Sequence, residues 1–289
     1  MCIVSAEARL SKTKIMSMEL DSGRHMLSYA NKVDNISGKP NSMILAVPGK
    51  LKSKWFHDTS EYSDFLKDIE NQAGISYDES MGEYYLGMKS KGMRNRGFES
   101  FSVGMYDIMI TDDIDNIYGF NEGPGQGNSN DLLKIENRPE ISEELLEFFR
   151  TQYKGWGFVV CVFDGRKTME SQPIAFEYEP FDNNWLYFPT MDCHTGGAPD
   201  LNEKITMEHS LIYEYPGLTD RIVQNVKFSQ KVPQKFMRRN YVSTKWKERM
   251  QNGDMYLHLP TLYKRASDKK LCYGAFKRSA VHPGELMPA

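Results

Sequence analysis

With 289 residues, 40% of them hydrophobic, the chain can bury a sizeable core as one large domain or two small ones, which excludes a wholly disordered polypeptide. The net charge of −3 hides an asymmetry: residues 221–289 carry 15 Lys/Arg against 4 Asp/Glu, whereas the 220 before them carry 21 against 35. Charge appears by Glu7 without the apolar core of a secretory signal, and no apolar run approaches the roughly 20 residues that span a bilayer, so a cytoplasmic chain without a membrane segment is expected.

The first fifty residues read as a meander of strands: 3–10, a turn at Ser11-Lys12, 13–20, a turn at Asp21-Ser22-Gly23, and 25–33. Asn41–Val47, closed by Pro48-Gly49, reads as a more fully buried strand. Thr59-Ser60-Glu61 can cap a helix that puts Tyr62, Phe65, Leu66 and Ile69 on one stripe. Residues 98–111 have strand character, and 121–130 form a polar, glycine-rich loop without the flanking residues of a phosphate-cradling motif. A second helix starts at Ser142, with Glu143 and Glu144 in its first turn and Leu145, Leu146 and Phe149 inward. Four further strands are expected over 156–163, 172–178, 185–188 and 205–215. Beyond residue 219 apolar density falls and basic residues cluster, leaving Trp246, Tyr256, Leu257, Leu259 and Tyr263 as anchors. These elements, with 16 Tyr and 15 Phe suited to pleated surfaces, predict an α+β fold of predominantly antiparallel sheet with a few packing helices. It spans residues 1–218 as a single domain, and 219–289 follow as a basic C-terminal extension packed on the body.

Several stretches, among them Met1-Cys2-Ile3-Val4-Ser5, residues 13–31, Gln172-Pro173-Ile174-Ala175-Phe176, Leu186-Tyr187-Phe188-Pro189-Thr190 and Glu208-His209-Ser210-Leu211-Ile212-Tyr213, resemble segments of uncharacterised bacterial protein families. The resemblance covers 1–49 and 156–215. It implies that the parts before and after the glycine-rich loop form one folding unit, and it implies no activity. Residues 216–289 have no counterpart in it, and Met191-Asp192-Cys193-His194 stands where those families carry further histidine.

Cys2 is the sharpest chemical feature. Removal of Met1 would leave a cysteine whose own α-amine, with a pKa of roughly 7.7–8.0, can take the thiol proton, the arrangement of an N-terminal nucleophile. The strand pair that follows resembles the entry to the sandwich of N-terminal-nucleophile hydrolases, which would cleave an amide or related C–N bond. The alternative is that Cys2 is a small buried hydrophobe. Cys2, Cys161, Cys193 and Cys272 are scattered without a C-x-x-C pair, so reduced thiols are expected. His194 and His209, on either side of a turn-rich stretch, are candidates to orient the leaving group, or are hydrogen-bonded structural residues; their spacing fits no compact zinc signature, and neither a metal nor a cofactor is expected. Arg24 could clamp a substrate carboxylate or sit solvated beside a hairpin.

Asp112, Asp113 and Asp115 lack the glycine and distal glutamate of a calcium loop and read as a solvated turn. The basic run 227–249, with Phe228, Phe236, Tyr241 and Trp246 interleaved, suits packing on its own body or, less favoured, nucleic acid, and the wider segment 221–249 suits self-association or an acidic partner. Two function classes follow, a cysteine hydrolase centred on Cys2 and a non-enzymatic interaction protein that assembles through its charge asymmetry, with a nucleic-acid-binding accessory protein third.

Overall fold

The computed structural model describes residues 3–76, 98–120, 139–163, 169–215, 226–238, 240–267 and 276–279. Cys2, Cys272 and the glycine-rich stretch 121–130 lie outside the described residues. Among them three sheets form. A five-stranded antiparallel sheet has the order β1 (Ile3–Val4), β4 (Asn41–Val47), β10 (Gly157–Phe163), β9 (Tyr106–Thr111) and β8 (Phe98–Val103). A nine-stranded mixed sheet runs β5 (Gly49–Lys50), β12 (Ile174–Pro180), β3 (His25–Asn35), β2 (Ala8–Glu19), β14 (Lys204–Glu214), β15 (Tyr241–Gln251) and β7 (Gly74–Ser76), with β6 (Phe56–His57) on β12 and β11 (Met169–Glu170) on β3. A three-stranded antiparallel sheet joins β13 (Trp185–Phe188), β16 (Asp254–His258) and β17 (Phe276–Ser279). With α1 (Phe65–Ala73), α2 (Glu143–Gln152) and α3 (Leu259–Ser267), this is an α+β fold in which sheet dominates.

Side-chain alternation explains the layers. Strands β4 and β10 are buried at every position. Met43, Leu45, Val159 and Cys161 point into a first core shared with the nine-stranded sheet, while Ile44, Ala46, Phe158 and Val160 point into a second core under α2. A third core fills the outer face of the large sheet, where Met16, Met18 and Ile212 meet Phe65, Leu66 and Ile69 of α1. Each fully buried Leu, Ile or Phe contributes on the order of 2 kcal/mol of transfer free energy.

Two local expectations need correction. The turn anticipated at Ser11-Lys12 is a β-bulge inside one twelve-residue strand, because Lys32 pairs with Ser11 and Ala30 with Lys14, leaving two residues of β2 opposite one of β3. Lys12 takes a positive φ of 54° there. The helix anticipated from Thr59 begins at Phe65 instead, after a 3₁₀ turn at Ser60–Tyr62, since the Thr59 hydroxyl donates to the Pro173 carbonyl 2.5 Å away and caps nothing.

Segment 219–289, anticipated as an extension lying on the body, supplies strands to it. Tyr241–Gln251 pairs with β14 along its whole length, and Asp254–His258 pairs with β13. Val242, Trp246, Met255 and Leu257 enter the first core. Asp254 is fully buried: its Oδ2 accepts from the Tyr153 hydroxyl at 2.7 Å, and its Oδ1 accepts from the Thr190 and Met191 amides, each at 2.9 Å. Burial pushes this carboxyl above its ordinary range, and those donors oppose the shift.

Candidate functional site

The residues singled out from sequence do not converge. Cys2 lies outside the described residues; the next residue, Ile3, forms a parallel bridge with Cys193, and the Val4 amide donates to the Cys193 carbonyl at 3.2 Å. His194 therefore lies near the beginning of the described chain, its carbonyl accepting from the Ala8 amide at 3.0 Å and its Nε2 lying 3.0 Å from Asp192 Oδ1. That pair is close in distance but is not aligned as a hydrogen bond. His209 is elsewhere. It pairs with Thr13 on one side and Trp246 on the other, inside the large sheet. From Ala8 to Thr13 is five residues of strand, roughly 15 Å. His209 is 1% exposed, on the face that carries Met207 and Leu211 into the first core, and neither ring nitrogen has a hydrogen-bond partner among the described residues. Among the described residues no group of three or more His, Cys, Asp or Glu is placed to hold a metal ion.

Arg24 is engaged within the fold. Its Nε donates to Glu177 Oε2 at 2.8 Å, and its guanidinium lies 5.2 Å from the centre of the Trp55 ring. Glu177 also meets His57, with Nε2 3.1 Å from Oε1, and Lys235, with Nζ 3.5 Å from Oε1. Burial and then the Lys235 charge lower the His57 pKa to about 4, so the ring is neutral at pH 7. The Lys235 ammonium lies 2.8 Å from Nδ1 and 2.9 Å from Nε2, whereas the Glu177 carboxylate faces Nε2; the assignment that satisfies both puts the proton on Nε2, donating to Glu177, and leaves Nδ1 to accept from Lys235. Burial alone would raise the Glu177 pKa, but the Arg24 hydrogen bond and the Lys235 charge more than offset it and hold the carboxyl below its ordinary value. This cluster clasps the segment ending at Phe236, itself buried in the third core, to β6 and β12. Glu177 was not singled out from sequence. The available signal was a carboxylate set between Phe176 and Tyr178, two aromatic residues of a mostly buried strand.

The basic run 227–249 divides in two. Lys235 is bound as above, and Arg238 pairs with Asp21 at 3.5 Å and Glu214 at 3.9 Å, so these two cations are paired with the body. The part in β15 faces outward. On the outer face of the large sheet, Ser210 lies between Lys14 and Lys245 and meets Glu70 of α1, to which its hydroxyl donates and with which Lys14 pairs at 3.5 Å; further along, Glu208 lies opposite Lys247, and Thr206 lies opposite Arg249. Lys32 continues this face on β3, and Lys247 is 75% exposed, with a 3.4 Å pair to Glu208. With strands about 4.8 Å apart, the face is roughly 14 Å across from β3 to β15. Phe236, Tyr241 and Trp246, which base stacking would require at the surface, are buried.

The fold and this face together describe a sheet-rich α+β protein whose largest sheet carries Lys245, Lys247 and Arg249 on its outer surface. No protein-family model and no curated protein matches the chain. Among solved structures it is similar to baculovirus P35, with 13% identity, 89% of this chain and 91% of that chain covered, and a TM-score of 0.44. It is also similar to a mutated baculovirus P35 after caspase cleavage, with 13% identity, 86% and 97% covered and a TM-score of 0.45. A third likeness is to the caspase-8/P35 complex, with 12% identity, 86% and 88% covered and a TM-score of 0.40. No helix of the described residues is long and apolar enough to cross a membrane.

Proposed function

We propose that this chain is a non-enzymatic interaction protein that engages an acidic protein partner through the outer face of its nine-stranded sheet. The observation that carries the reading is the alternation of β15 that sets Lys245, Lys247 and Arg249 along one exposed surface of a protein whose net charge is −3. Concentrating cations there, against an acidic remainder, favours a negatively charged partner and fixes its orientation. Binding of a fluorescent poly-glutamate chain, measured against salt, tests it. The triple reversal Lys245→Glu, Lys247→Glu and Arg249→Glu should weaken binding by tenfold or more (about 1.4 kcal/mol). Unchanged binding would remove the reading, and a preference for an oligonucleotide would reassign the partner class.

A second reading, the N-terminal cysteine hydrolase, is favoured by one observation: Ile3 bridges to Cys193, next to His194 and Asp192. In that reading Cys2 supplies nucleophile and base, and His194, not the enclosed His209, serves the leaving group. Intact mass tests it, because a retained Met1 removes the free amine. If Met1 is lost, rapid alkylation of Cys2 near neutral pH, abolished by Cys2→Ala, is the expected result.

A further inference from the structure

Near the start of α1 the surface opens into a cleft of about 340 Å³ lined by four lysines, Lys12, Lys14, Lys32 and Lys67, against two carboxylates, Asp64 and Glu170, with Ser60 and Ser63 beside them; Lys67 lies 3.7 Å from Asp64, and Lys14 lies 3.5 Å from Glu70. The β-bulge gathers the first two lysines: Lys14 Nζ donates to the carbonyl of Lys12, the residue with positive φ, at 3.2 Å. Lys12 Nζ reaches Glu170 Oε1 at 3.2 Å across the cleft mouth. The charges of Lys12, Lys14 and Lys67 all act on that one carboxylate and hold it below its ordinary pKa, with the Lys12 hydrogen bond the largest cause. Yet the pair is out in solvent, the side chains being 64% and 68% exposed, so it is worth at most about 1 kcal/mol.

We propose that this cleft binds a phosphate monoester carried on a side chain of the acidic partner, an inference that rests on the interaction reading above. Glu170 already presents a carboxylate to these lysines from within the chain, at high effective concentration, so a single glutamate of a partner would only exchange with it. A phosphate monoester brings a charge near −2 and three strong acceptor oxygens, which several ammonium groups can share, so it displaces Glu170 with a net gain. Lysines acting as point charges are suited to that role.

The test uses the full chain, an acidic peptide with one serine, and the same peptide phosphorylated, compared by fluorescence anisotropy. The phosphorylated form should bind tighter by about tenfold. The double variant Lys12→Ala, Lys67→Ala should abolish that increment while leaving the plain acidic peptide bound, and Glu170→Gln should strengthen the phosphopeptide several-fold; thermal unfolding of each variant verifies that it is folded. Equal binding of the two peptides, or an increment that survives the double variant, overturns the site. Free phosphoserine competing as well as the whole peptide would assign the cleft to a small molecule and overturn the partner assignment. Failure of the interaction reading looks different: neither peptide binds, or the plain peptide ignores reversal of Lys245, Lys247 and Arg249.

Discussion

At the scale of single residues, a half-buried and a buried histidine lead to opposite predictions. His57 is held near a pKa of about 4, against 6.5 in the unfolded chain, so between those values the unfolded chain takes up a proton that the folded protein refuses. Stability is therefore full above about pH 6.5 and is lost as the pH falls toward 4, by on the order of 3 kcal/mol. Glu177, whose folded pKa is depressed, acts in the same direction, its contribution being lost as the pH falls through that value. Urea midpoints at pH 7.5 and 4.5 should separate in the parent and converge in His57→Gln; equal midpoints in the parent would contradict the neutral-imidazole assignment. His209 has no such partners, and its buried ring nitrogens lack hydrogen bonds among the described residues. Replacing an unsatisfied polar ring by an apolar side chain of similar volume should cost nothing, so His209→Leu is expected to hold or raise the melting temperature. A fall of several degrees in a calorimetric scan would reveal a partner for that imidazole.

Elements were legible in the sequence to the extent that their signals were local. Helix α2 was readable because Ser142, two glutamates and an inward Leu-Leu-Phe stripe all lie within eight residues; in the structure the Ser142 hydroxyl accepts from the Leu145 amide at 3.3 Å. Ser142→Ala should lower stability by about 1 kcal/mol, read from the denaturation midpoint. The bulge in β2 was misread as a turn because a polar pair between two alternating runs looks the same in either case, and only the register with β3 distinguishes them. Strand β15 was harder still. Its sequence is dense in Lys and Arg, which read as surface, yet the alternate positions Val242, Thr244 and Trp246 are buried in a strand that pairs with β14 on one side and, through Ser243–Lys245, with the sequence-distant β7 on the other. Of the candidate site, sequence singled out Arg24, and Lys235 only as one cation of the basic run, but not Glu177 or His57; the four come from separate parts of the chain and meet only after folding.

For the whole molecule, the embedding of the basic segment makes a sharper test than any point change. A segment merely lying on the body could be cut away and leave a folded remainder. Ending the chain after residue 240 removes β15 and β16, and with them Val242, Trp246, Met255 and Leu257 from the first core and Asp254 from its four-residue polar network. Since losing one such large side chain costs about 3–5 kcal/mol, against a total stability of about 5–15 kcal/mol, the truncated chain should not fold. Near-ultraviolet circular dichroism would show this, and a native-like spectrum from the truncated chain would refute the assignment of β15 to the interior.

The parallel pairing of β2 with β14 also bears on synthesis at the ribosome. The hairpin of β2 and β3 emerges early, but the flank of β2 that β14 covers between Thr13 and Met16 is satisfied only after residue 212 has left the exit tunnel. At about 5–20 residues per second, that interval is on the order of ten seconds or more. Through that time the nascent hairpin presents a raw strand margin to its surroundings, so slow, late-committing acquisition of structure, and a need for shielding by chaperones, are written into the order of the strands.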